Sequence, residues 1–568
     1  MMNLPTSTAE IMDWPWSKLE PFYRELADAA LNGSNASDWL AEWSHLAELI
    51  QETYKRLYVA TTVDTTDAAA EARYNRFLDE IFPNAEAIEQ ELKNKLLHSG
   101  VQPAGFEIPL RNMRAEAELF RLENLPLLAQ EIKLSSEYDK ISGAQTVKWD
   151  GQELTIQQLV RVYQQDDRQV REAAWRMGAE RQLADRQAIN ELWCKLLVLR
   201  QQIAANAGFS DFRSYRWKQF LRFDYSPQDC QRFHQAIEEA VVPAAERIYE
   251  KRRRHLGVDT LRPWDLEVDP SGRPPLRPFR TIEELESKTE AIFRQVDPQL
   301  GEYFTIMRRE GLLDLDNRKG KAPGGYCEGF PLVKRPFIFA NAVGTHDDVQ
   351  TLLHEGGHAF HEFEYGRLPY IQQRQVGNEF GEVASMGMEL LASPYLEAER
   401  GGFYSPQDAA RARIEHLEKS LLFWPYMAVV DAFQHWVYMN PQAALDTANC
   451  DAQWAALWQR FMRGIDYRGL ENQMCTGWHN KLHIHQIPFY YVEYGMALLG
   501  SVQVWRNALQ DQAGAVAAYR RALSLGGTQP LPVLFQTAGA RFQFDTATLQ
   551  EAVDLMVDKI EKLEAILS

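Results

Sequence analysis

The segment His354-Glu355-Gly356-Gly357-His358 holds the residue types and the spacing that chemistry at a metal requires. On a helix, residues i and i+4 stand one turn apart on the same face, so two imidazoles here can address one ion. Glu355 lies about 100° round the helix from His354. It borders the site without joining the ligands, which is where a base for a metal-bound water belongs. Leu352, Leu353, Ala359 and Phe360 flank the motif and imply a mostly buried helix. Two buried histidines one turn apart need a common polar partner, and a metal supplies one.

A catalytic zinc needs a third protein ligand and an open position. His361 is the nearest spare imidazole, but three ligands on one straight helix strain the tetrahedral angles. A second helix is the better source. Glu379, Glu382, Met386 and Glu389 share one face of the next helical segment. One of these carboxylates would complete the zinc site, and the others would accept imidazole N–H bonds. Further along, Trp478–Gly495 carries His483, His485, Tyr490, Tyr491 and Tyr494. The hydroxyls of Tyr491 and Tyr494 fall one turn apart. Tyr and His donors suit the oxyanion that forms when a peptide carbonyl is attacked.

Several elements must position these groups. Thr345 with Asp348 is a capping pair, so a helix should start there and run through the motif. Upstream, Pro336–Ala342 is a short apolar run long enough for one strand. An exposed strand edge at such a place can hold an extended peptide through main-chain hydrogen bonds. Helical periodicity covers 17–58, 68–97, 111–122 and 157–208, and helix dominates after 345. Residues 144–156 read as a β-hairpin turning at Asp150-Gly151. The Pro-rich stretch 257–279 reads as a surface excursion between helices. A soft boundary near 185 divides the chain into an N-terminal helical lobe with the hairpin (1–185) and a catalytic lobe (186–568).

The chain has 568 residues and a formal net charge of −18, with 45% hydrophobic and 25% charged residues. That is the profile of a soluble globular protein. An acidic surface disfavours nucleic acid as the main partner. The five cysteines contain no CxxC pair. Neither a disulfide framework nor a thiolate zinc site is expected, in keeping with a reducing compartment. With no signal-like N-terminus and no long apolar run, a cytoplasmic protein without a membrane partner is expected.

Taken together, the motifs resemble the thimet oligopeptidase and oligoendopeptidase F family of zinc metallopeptidases. Members carry HExGH and then a Phe-x-Glu-x-x-Ser-x-x-x-Glu segment. This chain has His354–His358 and then Phe380-Gly-Glu382-Val-Ala-Ser385-Met-Gly-Met-Glu389, with Ala384 where many members have Pro. The resemblance implies one Zn²⁺ per chain on His354, His358 and Glu382, with Glu379 and Glu389 behind the ligands and Glu355 as general base to a zinc-bound water. It also makes His483 the matched histidine of the Pro-Phe-Tyr-Tyr segment, beside Tyr491 and Tyr494 as oxyanion donors. His485 stands where many members have an aromatic residue, and Tyr490 replaces Tyr491 if the helix is rotated. Gly324-Gly-Tyr-Cys327 and Pro336–Thr345 are similar to the family's cleft strand, which pairs with substrate backbone. The implied fold is mostly α, with two helical lobes enclosing a deep substrate channel and one small sheet beside the zinc helix. The implied activity is endopeptidase cleavage of short peptides. A zinc carboxypeptidase of related helical fold, an inactive peptide-binding relative and a helical scaffold for protein partners are the rival readings.

Overall fold

The computed structural model describes residues 4–318, 320–322 and 324–567. They are mostly helical, with one two-stranded and one three-stranded sheet. By internal contacts the chain divides into two units, each discontinuous in sequence. The first comprises Met1–Glu118, Leu276–Ala409 and Ala497–Phe542; the second comprises Leu119–Pro275, Ala410–Met496 and Gln543–Ser568. Residue 185, where the sequence suggests a boundary, is a turn between helices Arg168–Ala184 and Arg186–Asn206, both inside the second unit.

In the first unit, helices Trp16–Asp28, Ala36–Val63 and Phe82–Ser99 share a core that includes Leu19, Trp39, Leu40, Trp43, Leu92 and Leu96. The three-stranded sheet consists of β3 (Leu313–Asp316), β4 (Tyr326–Phe330) and β5 (Arg335–Ala342), in the order β3-β5-β4. Strand β5 pairs in parallel with β3 and antiparallel with β4. It is therefore the centre of the sheet. The expectation that Pro336–Ala342 offers a free edge is corrected: the edges belong to β3 and β4. The reason is visible in the sequence. Residues 336–340 are all buried, and a strand covered on both faces reads as a continuous apolar run rather than an alternation. The helix His346–Tyr365 follows β5 directly, packs on β5 and β4, and packs most extensively on helix Asn378–Ala392.

In the second unit, β1 (Thr146–Trp149) and β2 (Gln152–Thr155) form the expected hairpin. Its two turn residues, Asp150 and Gly151, have φ of 48° and 76°, the left-handed pair that a type I′ turn demands. The stretch 257–279 is a surface excursion only in its second half, where Ser271, Gly272, Pro274, Pro275 and Arg277 are exposed. Leu261, Pro263, Trp264, Asp265 and Val268 are buried. Asp265 is paired with Arg168 at 2.7 Å and Arg171 at 3.0 Å, so a buried ion pair anchors the stretch to a neighbouring helix.

Candidate active site

The HExxH helix begins as its capping pair requires. Asp348 Oδ2 accepts the Thr345 N–H at 2.7 Å and the Val343 N–H at 2.9 Å, and the Thr345 side chain completes the capping box. The two glycines of the motif are places of close approach. A Cβ at Gly356 would stand 2.5 Å from the Phe293 ring, and one at Gly357 would stand 2.3 Å from Ala384 O and 2.6 Å from Ser385 Cα. Without side chains, the backbones of the two helices meet at Gly357. That contact brings Glu382 across from the two histidines.

His354 Nε2 lies 3.4 Å and His358 Nε2 lies 3.5 Å from the same oxygen, Glu382 Oε2. All three donor atoms fall within 4.8 Å of one another. Two ligands about 2.1 Å from one ion at the tetrahedral angle stand about 3.4 Å apart, so the spacing fits a zinc-sized ion. His354 Nδ1 is 2.6 Å from Glu389 Oε1. That bond places a ring proton on Nδ1. Burial works against the charged ring, but Glu382 and Glu389 outweigh it and raise the His354 pKa well above the usual imidazole value, so an ion binding at Nε2 must displace a proton. Burial holds His358 neutral, with its pKa lowered to about 4. Burial opposes ionisation of Glu382, but His358, His354 and Ser385 outweigh it and lower its pKa to about 2. Neutral imidazoles and an ionised carboxylate are the forms that bind metal.

Glu355 is buried, at 8% exposure, and accepts a bond from the Cys327 backbone of β4. Burial pushes its carboxyl up to about 7 against the pull of His354. Glu379 is buried in the first turn of the second helix with its carboxylate over Gly377. His361 does not join the donor group. Its ring is buried, its Nε2 has no hydrogen-bond partner among the described residues, and burial lowers its pKa to about 3. Sequence reasoning assigned no role to Ser385, whose hydroxyl donates to Glu382 Oε2 at 2.8 Å. The signal was a hydroxyl one turn past Glu382.

In the second unit, His483 and the tyrosines come together. The His483 ring centroid is 4.8 Å from that of Tyr491 and 6.0 Å from those of Tyr490 and Tyr494. Tyr491 and Tyr494 are 5.7 Å apart. His485 turns the other way, fully buried and stacked on Tyr138 at 4.4 Å. Burial, with a smaller contribution from Lys481, keeps His483 neutral by lowering its pKa to about 3. The helix that carries the tyrosines, Tyr491–Ala508, is pinned at its first turn by Arg222, which donates to Glu493 at 2.6 Å and to Phe489 O at 2.5 Å.

A second group of potential ligands, Cys230, Asp431 and His435, also has donors within 4.8 Å of one another. It fails the fit. His234 Nε2 is 2.8 Å from Asp431 Oδ2, and Arg213 Nη1 is 3.3 Å from His435 Nδ1. A guanidinium only donates, so His435 Nδ1 must accept and its proton sits on Nε2, 3.3 Å from Asp431. That imidazole has no lone pair left for an ion. The group is a buried hydrogen-bonded network between two helices.

The model of peptidase family M3 matches residues 162–554, and that of the M3 N-terminal domain matches residues 10–104. The oligoendopeptidase F homolog of Borreliella burgdorferi is 21% identical over 381 residues, covering 64% of this chain and 62% of that protein. The matched region thus spans less than two thirds of this curated relative. PZ peptidase A, solved with an inhibitor, gives a TM-score of 0.88 at 27% identity, over 96% of this chain and 97% of that one. An X-ray structure assigned as an oligoendopeptidase F also gives 0.88, at 26% identity over 98% and 99% of the two chains. The oligoendopeptidase F of Enterococcus faecium shares the fold at 14% identity, with a TM-score of 0.63 over 97% and 98%. With more than half of its length matched by the family model, the chain belongs to peptidase family M3.

Proposed function

We propose that this chain is a zinc-dependent endopeptidase of short oligopeptides, with His354, His358 and Glu382 holding the metal. The reading rests on one observation: two imidazole nitrogens lie 3.4 and 3.5 Å from one carboxylate oxygen, with Glu355 on the adjoining face of the same helix. Bound zinc supplies Lewis-acid polarisation of the scissile carbonyl and acidifies water. Glu355 takes a proton from the attacking water as its oxygen adds to the carbonyl carbon. The same carboxyl then gives that proton to the amide nitrogen as the C–N bond breaks, so one water is consumed and an acid and an amine leave. A buried carboxyl that titrates near neutrality suits both halves of this exchange. We assign the oxyanion's hydrogen bonds to Tyr491, Tyr494 and His483, donors of a kind worth several kcal/mol in comparable sites.

The test is digestion of a mixed peptide library, including peptides blocked at both ends, with and without a chelator, read by mass spectrometry. Internal cleavage that the chelator abolishes and zinc restores is expected. Glu355→Gln should bind zinc and melt like the wild type yet lose several orders of magnitude in rate. A Glu355→Gln protein of undiminished activity defeats the assignment. Cleavage confined to peptides with free C-termini favours the carboxypeptidase reading.

A further inference from the structure

The helices of the first unit enclose a cavity of about 490 Å³. Tyr23, Trp43, Tyr54 and Phe77 give it aromatic walls, and Glu86, Glu89 and Glu116 give it carboxylates. Helix Phe82–Ser99 contributes Glu86 and Glu89, three residues apart on one face. These three acids meet one ammonium, that of Lys93, whose ion pair goes to Glu116 at 2.8 Å. Two other cations of the wall are engaged elsewhere, Lys55 with Glu328 at 2.7 Å and Arg374 with Glu48 at 2.8 Å, and Lys334 is exposed.

Two polar atoms on this wall have nothing to bind. The Tyr23 side chain is fully buried and its hydroxyl faces the Glu89 carboxyl, yet neither that hydroxyl nor Glu89 Oε1 closes a hydrogen bond among the described residues. The other Glu89 oxygen accepts the Trp43 indole N–H at 2.6 Å. Burial opposes the charged form of both free acids, pushing Glu89 up to about 7 and Glu86 in the same direction. Water would satisfy the two atoms but leave the carboxylates without a counter-charge. Carboxylates framed by ring faces suit an ammonium or guanidinium group. Their oxygens take its N–H donors, and the rings take the rest of the charge and the aliphatic stem. Phe82 and Glu86 line the cavity and are exposed, so a ligand can reach it from solvent.

The HExxH helix belongs to the same unit and forms part of the cavity wall through Glu362 and Tyr365. Glu362 lies seven residues past Glu355, which is about 10 Å along the axis and within about 20° of the same face. Cys327 of β4 links the two: its backbone bonds to Glu355, and burial and both carboxylates push its thiol up. Gly329, two residues on in the same strand, lines the cavity. The step from Glu355 to this wall equals about three residues of extended peptide. We propose that the cavity is a subsite for a cationic group of the bound peptide, its amino-terminal ammonium or a Lys or Arg side chain, held by Glu86 and Glu89 against the aromatic wall. This rests on the peptidase reading given above. The enzyme then prefers peptides that carry a positive group three or more residues from the cleaved bond.

The experiment uses the full chain loaded with zinc and matched peptides that differ only in the group at issue. One pair has a free or an acetylated amino terminus. Further pairs carry Arg or citrulline at successive positions on each side of the cleaved bond. Wild type should favour the cationic member of a pair three or more residues from that bond by about 10- to 100-fold, expressed mainly in KM, the range of a charged hydrogen bond. The pair that discriminates identifies the terminus or the side chain as the source. In the double variant Glu86→Gln/Glu89→Gln, which keeps an acceptor for Trp43, the KM ratio of that pair should collapse to near one. Asp79→Asn/Glu80→Gln removes two exposed acids outside the cavity and should retain the ratio. A wild type that treats every pair alike overturns the proposal without recourse to any variant, as does a preference confined to the residues next to the bond. A Glu86→Gln/Glu89→Gln protein that keeps the ratio, or a collapse in both double variants, overturns it too. Should no peptide be cleaved, the peptidase reading fails. Calorimetric titration of the same pairs into wild type then reads the cation preference by itself, and equal affinities overturn it.

Discussion

Gly357→Ala is the substitution on which the geometry of the proposed metal site bears most directly. The added methyl would meet Ala384 O at 2.3 Å, Ser385 Cα at 2.6 Å and Ala384 C at 2.8 Å, all atoms of backbone. Ordinary contact requires the two helices to part by about 1 Å, since close-packed interiors transmit such strain rather than absorb it. The opposing strand of contacts resists. Ala384 O is held by the Tyr519 hydroxyl at 2.6 Å, and Ser385 is bonded to Glu382 at 2.8 Å. Displacement therefore reaches the Glu382 oxygen that faces both histidines. Overpacking of this kind costs about 1–3 kcal/mol of stability, and a misplacement of about 1 Å at a reacting centre costs on the order of 100-fold in rate. Zinc affinity measured by chelator competition and kcat/KM on a cleaved peptide should both fall about 100-fold, with the helical circular-dichroism spectrum retained. Gly381→Ala is the control, because nothing lies within 4 Å of a Cβ there. It should leave affinity unchanged and raise the thermal midpoint slightly, as Ala is the better helix former. A Gly357→Ala protein with the wild-type zinc affinity and melting temperature would falsify the close-approach argument.

Other outcomes follow from single contacts. Ser385→Ala removes the hydroxyl on Glu382 Oε2 and should weaken zinc binding about 10-fold, the lower range for a group behind a ligand; unaltered chelator competition would refute it. Tyr494→Phe and Tyr491→Phe should each lower kcat by about 10²–10³ if that residue's hydroxyl meets the oxyanion, and a loss under threefold removes that tyrosine from the mechanism. Arg222→Met strands Glu493, whose side chain is 2% exposed, and should destabilise the second unit by roughly 3–5 kcal/mol. Adding Glu493→Leu should recover part of that, which denaturant melts of both variants would reveal. Glu89 has its carboxyl pushed up to about 7 by burial, against the Trp43 indole that donates to it at 2.6 Å. A raised carboxyl destabilises the fold progressively as pH climbs from about 5 to 7. Glu89→Gln should therefore raise the melting temperature at pH 8 and not at pH 5, and parallel pH profiles of the two proteins would contradict this.

The HExxH helix was legible because its chemistry and its start are both local. The i, i+4 histidines, the Thr345–Asp348 cap and the hairpin at Asp150-Gly151 are written within a few residues of one another. Glu382 was legible only as one of three carboxylates on a stripe until the family motif selected it. What chose it physically is the backbone contact at Gly357, and nothing in a sequence marks which glycine meets which carbonyl. The strand Pro336–Ala342 was found, but its central place was not, since an apolar run of that length leaves its neighbours undetermined. His483 and His485 are alike in sequence, and only the stacking of His485 on Tyr138 separates them.

The division of each unit into three segments has a consequence for synthesis. A ribosome that has made the first 409 residues has delivered two of the three pieces of the first unit, and the last, Ala497–Phe542, is still to come. Within that piece lie Tyr519, bonded to Ala384 O, and Arg520, bonded to Glu364 at 2.8 Å on the HExxH helix. The HExxH helix therefore packs on β5, β4 and helix Asn378–Ala392 but lacks these two braces through the translation of about a hundred further codons. The nascent chain cannot mature lobe by lobe from its N-terminus in the way consecutive domains do. Demand for holdase chaperones should peak late, and a premature stop anywhere before residue 520 should yield no stably folded half.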